Sequence, residues 1–118
     1  MNVARLCLML IRLAAAIQLI LGIGFWTGHW MTAVPVHRTI GVIYVVLLWI
    51  LAVLALFKRA NVGLALFAIV WGVVIAGFGM AQQTILVGDL HWVIRVLHLI
   101  IALSAMPIAE RLARSPSS

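Results

Sequence analysis

Four histidines and two arginines offer most of the chemistry available to this chain: His29, His37, His91, His98, Arg38 and Arg95. His91, Arg95 and His98 stand at i, i+4 and i+7, a spacing that puts all three on one helix face. His37, Gly41 and Tyr44 repeat the same spacing. His37 precedes Lys58, and His91 precedes Glu110, by about 20 residues each, which sets those two imidazoles at similar depth if both segments are long helices. His98 then lies about 10 Å deeper, at about 1.5 Å of rise per residue.

Two neutral imidazoles on facing helices suit the two axial positions of a b-type haem. Arg38 and Arg95 are cations able to meet its propionates, and Gly41, one turn from His37, gives a macrocycle room to approach. Matched depth makes His37 and His91 the expected ligand pair. His98 is the alternative partner for His37, leaving His91 beside a propionate. Other chemistries use the same residues. His29, His37, His91 and Asp89 are ligand types for an outer-face divalent-metal site such as zinc, although no His-x-x-x-His or cysteine spacing preorganises them. Copper held by histidine with Met31 or Met80 is a weaker variant. A cofactor-free seam would use the histidines and arginines to join helices or bind a lipid headgroup, with Tyr44 donating to His98. Asp89 and Glu110 are the only acids, so paired-carboxylate chemistry is excluded, and no nucleophile stands with a supporting acid and base. A hydrolase is therefore not expected, and no reaction is assigned.

The elements that must position these residues follow from composition. The chain has 118 residues, 67% hydrophobic and 8% charged, and its mean hydropathy is +1.30. A soluble domain is about half apolar and about a quarter charged. A soluble fold, a disordered tail and a disulfide scaffold are all excluded. Four apolar stretches approach the roughly 20 residues that span a bilayer. They cover about 6–27, 37–57, 62–81 and 91–109. Their backbone groups must be satisfied internally, which predicts helices. The expected fold is all-α: one four-helix, up-down-up-down integral membrane bundle over residues 1–114, with 115–118 as a polar tail. Pro35 suits the first turn of the second helix. Lys58 to Asn61 forms a tight loop, and Asp89 is a candidate N-cap for the fourth helix. Arg12 interrupts what would otherwise be a signal-peptide core, so the first segment is read as a retained helix.

The net charge of +6 comes from isolated cations rather than a basic run, so nucleic acid is not an expected partner. Arg5, Arg12, Lys58, Arg59, Arg111 and Arg114 gather on one side of the spans, and Arg38 and Arg95 fall toward the other. The positive-inside rule then places both termini in the cytoplasm of a bacterial inner membrane, with the histidines toward the outer face. Arg12 is expected to snorkel, and Gln18 to bond a neighbouring helix. Trp26, Trp30 and Trp92 fit an interfacial belt, Trp49 and Trp71 fit deeper packing, and Gly22, Gly24, Gly77 and Gly79 permit close helix approach. Cys7 reads as a buried packing thiol. The two halves also align at an offset of about 53 to 54 residues: Gly24-Phe25 with Gly77-Phe78, Val36-His37 with Leu90-His91, and Tyr44 with His98. This suggests two pseudo-repeated hairpins.

Histidines on the second and fourth helices of a membrane bundle resemble the plan of cytochrome b and cytochrome b561-type proteins, through the four-helix layout and two or three histidines rather than a local motif. Only an outer histidine layer is present, so the resemblance does not extend to a two-haem path across the membrane. The resemblance implies haem b and one-electron transfer with a quinone or a periplasmic redox protein, either alone or within a larger membrane complex. The chain is also similar to short uncharacterised bacterial integral membrane proteins with Trp-Thr-Gly-His and His-Trp-Val-Ile segments, here Trp26 to His29 and His91 to Ile94.

Overall fold

The computed structural model describes residues 2–81 and 88–114, and these are all helix and connecting turn. Five α-helices run in chain order: α1 Val3–Trp26, α2 Val34–Phe57, α3 Val62–Ala81, α4 His91–Leu103 and α5 Ala105–Arg114, with a short 3-10 turn at Met31–Ala33 leading into α2. Counting α4 and α5 as one broken rod, four helical segments are long and apolar enough to cross a membrane. Most of the third connection and the 115–118 tail lie outside the described residues.

Local chemistry sets the helix ends. α1 begins earlier than its hydropathy suggests because the Asn2 side chain accepts a hydrogen bond from the Arg5 amide at 2.8 Å. Pro35 lies in the first turn of α2, where its missing N–H costs nothing. α3 spans the predicted 62–81. Asp89 is not the cap of α4; Leu90 holds that position without a side-chain bond, and the His91 amide donates instead to the Gly88 carbonyl at 3.0 Å. Gly88 makes this turn at φ 113°, in the region that favours glycine. The predicted single fourth helix is broken at Ser104. Pro107 explains the break: it has no N–H for the Leu103 carbonyl, and its ring crowds that oxygen. Ser104 Oγ donates to the Ile101 carbonyl at 2.6 Å and accepts from Trp71 Nε1 at 2.7 Å.

Packing is uneven along the molecule. α2 lies between α1 and α3 in the broadest interfaces, and α5 touches all three. α3 turns Ala65, Ala68, Gly72 and Ile75 inward, a stripe of small residues that lets the helices close up. At Gly72 a Cβ would collide with the Trp49 indole, whose Nε1 donates to the Ile69 carbonyl at 3.1 Å. The tight core gathers Cys7, Leu8, Ile11, Ala14, Leu48, Leu51, Ala52, Ala105, Ala109 and Leu112. α4 packs mainly on α3 and α5, and Ile94 is its one buried residue. The opposite faces of α1, α2, α3 and α4 carry large exposed apolar side chains, such as Leu13, Ile20, Val53, Leu66, Val70, Val73 and Ile100.

Two expectations about side-chain contacts change. Arg12 does not simply snorkel; its guanidinium grips Glu110 of α5 through Nε and Nη2 at 2.7 and 2.8 Å. Gly22 and Gly77 are not contact points, since a Cβ at either would meet nothing within 4 Å, whereas Gly24 is covered by the Trp30 indole.

Candidate functional site

Where α4 stands off from the bundle, a cavity of about 350 Å³ opens between the helices. His37, Arg38, Gly41 and Tyr44 line it from α2. His91, Arg95 and His98 line it from α4. The six residues singled out from spacing and Arg38 therefore share one space. Met31 and Met80 also reach it, while His29 does not. Its volume lies within the roughly 300–1,000 Å³ usual for ligand pockets.

His37 and His98 bring their imidazoles into ring contact. Their ring centroids are 6.5 Å apart and their planes are inclined at 63°. His91 lines the same cavity and makes a contact of its own. Depth counted along the chain ranks His91 level with His37, but the tilt and offset of α4 against α2 decide which rings meet. Phe25 presents an edge to His37 at 5.2 Å, and Phe78 lies nearly parallel to His98 at 6.2 Å. Neither phenylalanine stood out as a site residue in the sequence, yet the 53-residue offset that pairs Gly24-Phe25 with Gly77-Phe78 was their signal. Gly79 is a further member: a Cβ there would stand 3.2 Å from His98 Cε1.

Gly41 has a second use besides clearance for a ligand. A Cβ on it would stand 3.1 Å from Gln18 Nε2, which donates to the His37 carbonyl at 2.8 Å. Gln18 thus bonds a neighbouring helix as expected, and it secures the turn that carries His37. Tyr44 does not donate to His98; its hydroxyl reaches the Ala102 carbonyl at 2.8 Å. That leaves His98 without the structural partner the cofactor-free seam offered it.

His37 Nδ1, His98 Nδ1 and Gln18 Oε1 are buried without a hydrogen-bond partner among the described residues. Leaving a buried polar atom unpaired costs about 1–3 kcal/mol. These three orphans border the cavity, and Arg38 and Arg95 stay exposed beside it. Among the described residues no group of three or more His, Cys, Asp or Glu side chains assembles, so the four-ligand zinc arrangement of His29, His37, His91 and Asp89 is not formed. His29 instead pairs with Thr27 at 2.9 Å, away from the other histidines. No family model, curated protein or solved structure matches this chain, and the cavity has to be read from its own residues.

Proposed function

We propose that this chain is a multi-pass membrane protein that holds a b-type haem between His37 and His98 and serves one-electron transfer near the outer face of a bacterial inner membrane. The observation that carries the reading is the spacing of the two neighbouring imidazoles, each with a buried Nδ1 that lacks a partner among the described residues. A metal–imidazole bond is about 2.0 Å, and a ring centre lies about 1.1 Å behind its nitrogen. Two such rings on opposite sides of one metal ion have centroids roughly 6.2 Å apart, a distance computed from the same bond length. The His37–His98 separation is 6.5 Å. Their uncommitted nitrogens fit a metal better than a cofactor-free seam, which would leave both unsatisfied.

In this reading His37 and His98 would hold the haem iron, and Gln18 and Gly79 fix where those rings stand. Arg38 and Arg95 meet the two carboxylates, and Phe25, Phe78 and the aliphatic walls keep the site dry. Bound haem supplies a one-electron couple, whose potential the two imidazoles and the low-dielectric surroundings tune. The membrane setting is supported by four spans of sufficient length and by large apolar side chains exposed on α1, α2, α3 and α4. The cation asymmetry supports an up-down bundle with both termini in the cytoplasm. The electron partner in this scheme is a quinone or a periplasmic redox protein, reached by the protein alone or within a larger complex.

Absorption spectroscopy of the purified protein tests the assignment. A Soret band with a low-spin signature is expected, lost in His37→Ala and His98→Ala and kept in His91→Ala. Loss in His91→Ala with retention in His98→Ala would instead select the His37–His91 pair. Absence of a Soret band after expression with ample haem, and after adding haemin, refutes the function.

A further inference from the structure

The end of the bundle away from the histidine cavity gathers the start of α1, the end of α2, the start of α3 and the C-terminal part of α5. It carries Arg5, Lys58, Arg59, Arg111 and Arg114, all of them exposed. Glu110 is the only acid near them, and the Arg12 guanidinium already grips both of its oxygens. Asp89, the chain's other acid, precedes α4 at the opposite end. The described residues hold no further carboxylate to balance this positive charge.

The α2–α3 turn adds a second observation that does not depend on charge. The Ala60 amide donates to the Ala55 carbonyl at 2.9 Å, and the Arg59 amide donates to the Leu56 carbonyl at 3.0 Å. This pair of bonds is a helix stop whose left-handed position normally belongs to glycine. Here that position is held by Arg59, at φ 52°. Glycine takes such a backbone without strain, whereas a residue with a Cβ does not. What arginine adds at this point is its side chain, and that side chain is exposed rather than packed on the fold. Beside it Phe57 is 81% exposed, and Leu6 and Val62 are also exposed at this end. The cations therefore rim an apolar belt. That is the pattern of a membrane interface, where rings enter the acyl boundary and cations meet phosphates.

From these observations we infer that this end of the bundle binds the phosphate headgroup of an anionic phospholipid, with Arg59 as the leading contact and Phe57 inserted beside it. A guanidinium offers a planar fork of donors that matches a phosphate. Arg5 and Arg114 add to the positive field. The inference uses the membrane setting proposed above and none of the haem chemistry.

The test places the protein in nanodiscs of mixed phosphatidylcholine and phosphatidylglycerol. The lipids retained after transfer to a neutral detergent are counted by native mass spectrometry, and melting is followed in phosphatidylcholine alone. Phosphatidylglycerol should be enriched over its share of the disc, and raising salt from about 0.1 M to about 1 M should erase the enrichment. Arg59→Gly should lower it about fivefold, the effect of one interfacial cation. Its melting temperature should hold or rise, because glycine relieves the left-handed backbone. Arg5→Gln should also lower the enrichment, and Arg59→Lys, which keeps the charge, should retain most of it. Equal retention of the two lipids, or enrichment unchanged in both Arg59→Gly and Arg5→Gln, overturns the inference. A lower melting temperature in Arg59→Gly also overturns it, since the side chain then serves the fold. So does full displacement of the lipid by inorganic phosphate or by oligoglutamate, which marks a soluble anion or an acidic protein as the occupant. A chain that does not enter phosphatidylcholine discs sinks the membrane reading, whereas entry without a lipid preference sinks only this inference.

Discussion

Adding one methyl group at Gly79 tests the imidazole geometry directly. In Gly79→Ala the new Cβ stands 3.2 Å from His98 Cε1. Ordinary carbon contacts lie at about 3.5–4.0 Å, so the overlap is roughly 0.3–0.8 Å. The ring cannot yield freely, because Phe78 lies nearly parallel to it at 6.2 Å and 9°. Part of the overlap must therefore appear as movement relative to His37. Against a metal–nitrogen bond of about 2.0 Å, a shift of about 0.3 Å is large. Overpacking of this kind costs about 1–3 kcal/mol. If about 1.4 kcal/mol of it falls on ligation, haem affinity drops about tenfold. Gly77→Ala is the control, since a Cβ there meets nothing within 4 Å. In that variant the only effect is a helix-propensity gain of up to about 1 kcal/mol. The assay is haem transfer to an excess of apo-globin, with the low-spin absorption bands followed in parallel. Gly79→Ala should lose haem faster and show a high-spin fraction, while Gly77→Ala should match the parent. If both variants keep the parent spectrum and transfer rate, His98 is not held where the reasoning requires.

Three further outcomes are expected. Gly72→Ala should lower the melting temperature in detergent, because it drives a methyl group into the Trp49 indole at about 1–3 kcal/mol and strains a hydrogen bond worth about 1 kcal/mol; an unchanged melt refutes the close α2–α3 approach. Gln18→Leu removes the bond to the His37 carbonyl, and interhelical bonds in membrane bundles are worth about 0.6–1.7 kcal/mol. Its unfolding free energy should fall by that amount, and a stability equal to the parent shows the bond to be idle. Arg12→Gln and Glu110→Gln should each reduce the folded fraction, whereas the swap Arg12→Glu with Glu110→Arg should recover it; additive loss in the swap would show that the two side chains do not act as a pair.

The helices were legible because their apolar runs are long, and α3 starts and stops where hydropathy does. The α1 start was missed by counting apolar residues and ignoring Asn2, a strong N-cap type. The α4–α5 break was missed although Pro107 marks it. At the site, i, i+4, i+7 spacing on two helices brought six residues to one cavity, with Arg38 beside them, because a polar face on an apolar helix has few places to go. Spacing along a chain holds no information on how two helices are offset. The close approach of His98 to His37, the turn of Tyr44 toward Ala102 and the reach of Arg12 to Glu110 all depend on that offset.

The uneven packing has a consequence for the order of assembly. A chain emerges from its N-terminus, and α1, α2 and α3 already bury their broadest shared surfaces before the fourth segment is made. His37 is then in place with half of its surroundings absent, and it waits for a residue about 60 positions downstream. The segment that brings His98 is anchored at its distal end by α5 and the Arg12–Glu110 grip, while α4 itself is the most lightly packed. The fourth segment thus behaves as a door hung on its C-terminal half, and the helix that completes the cavity is the one least restrained by the rest of the bundle.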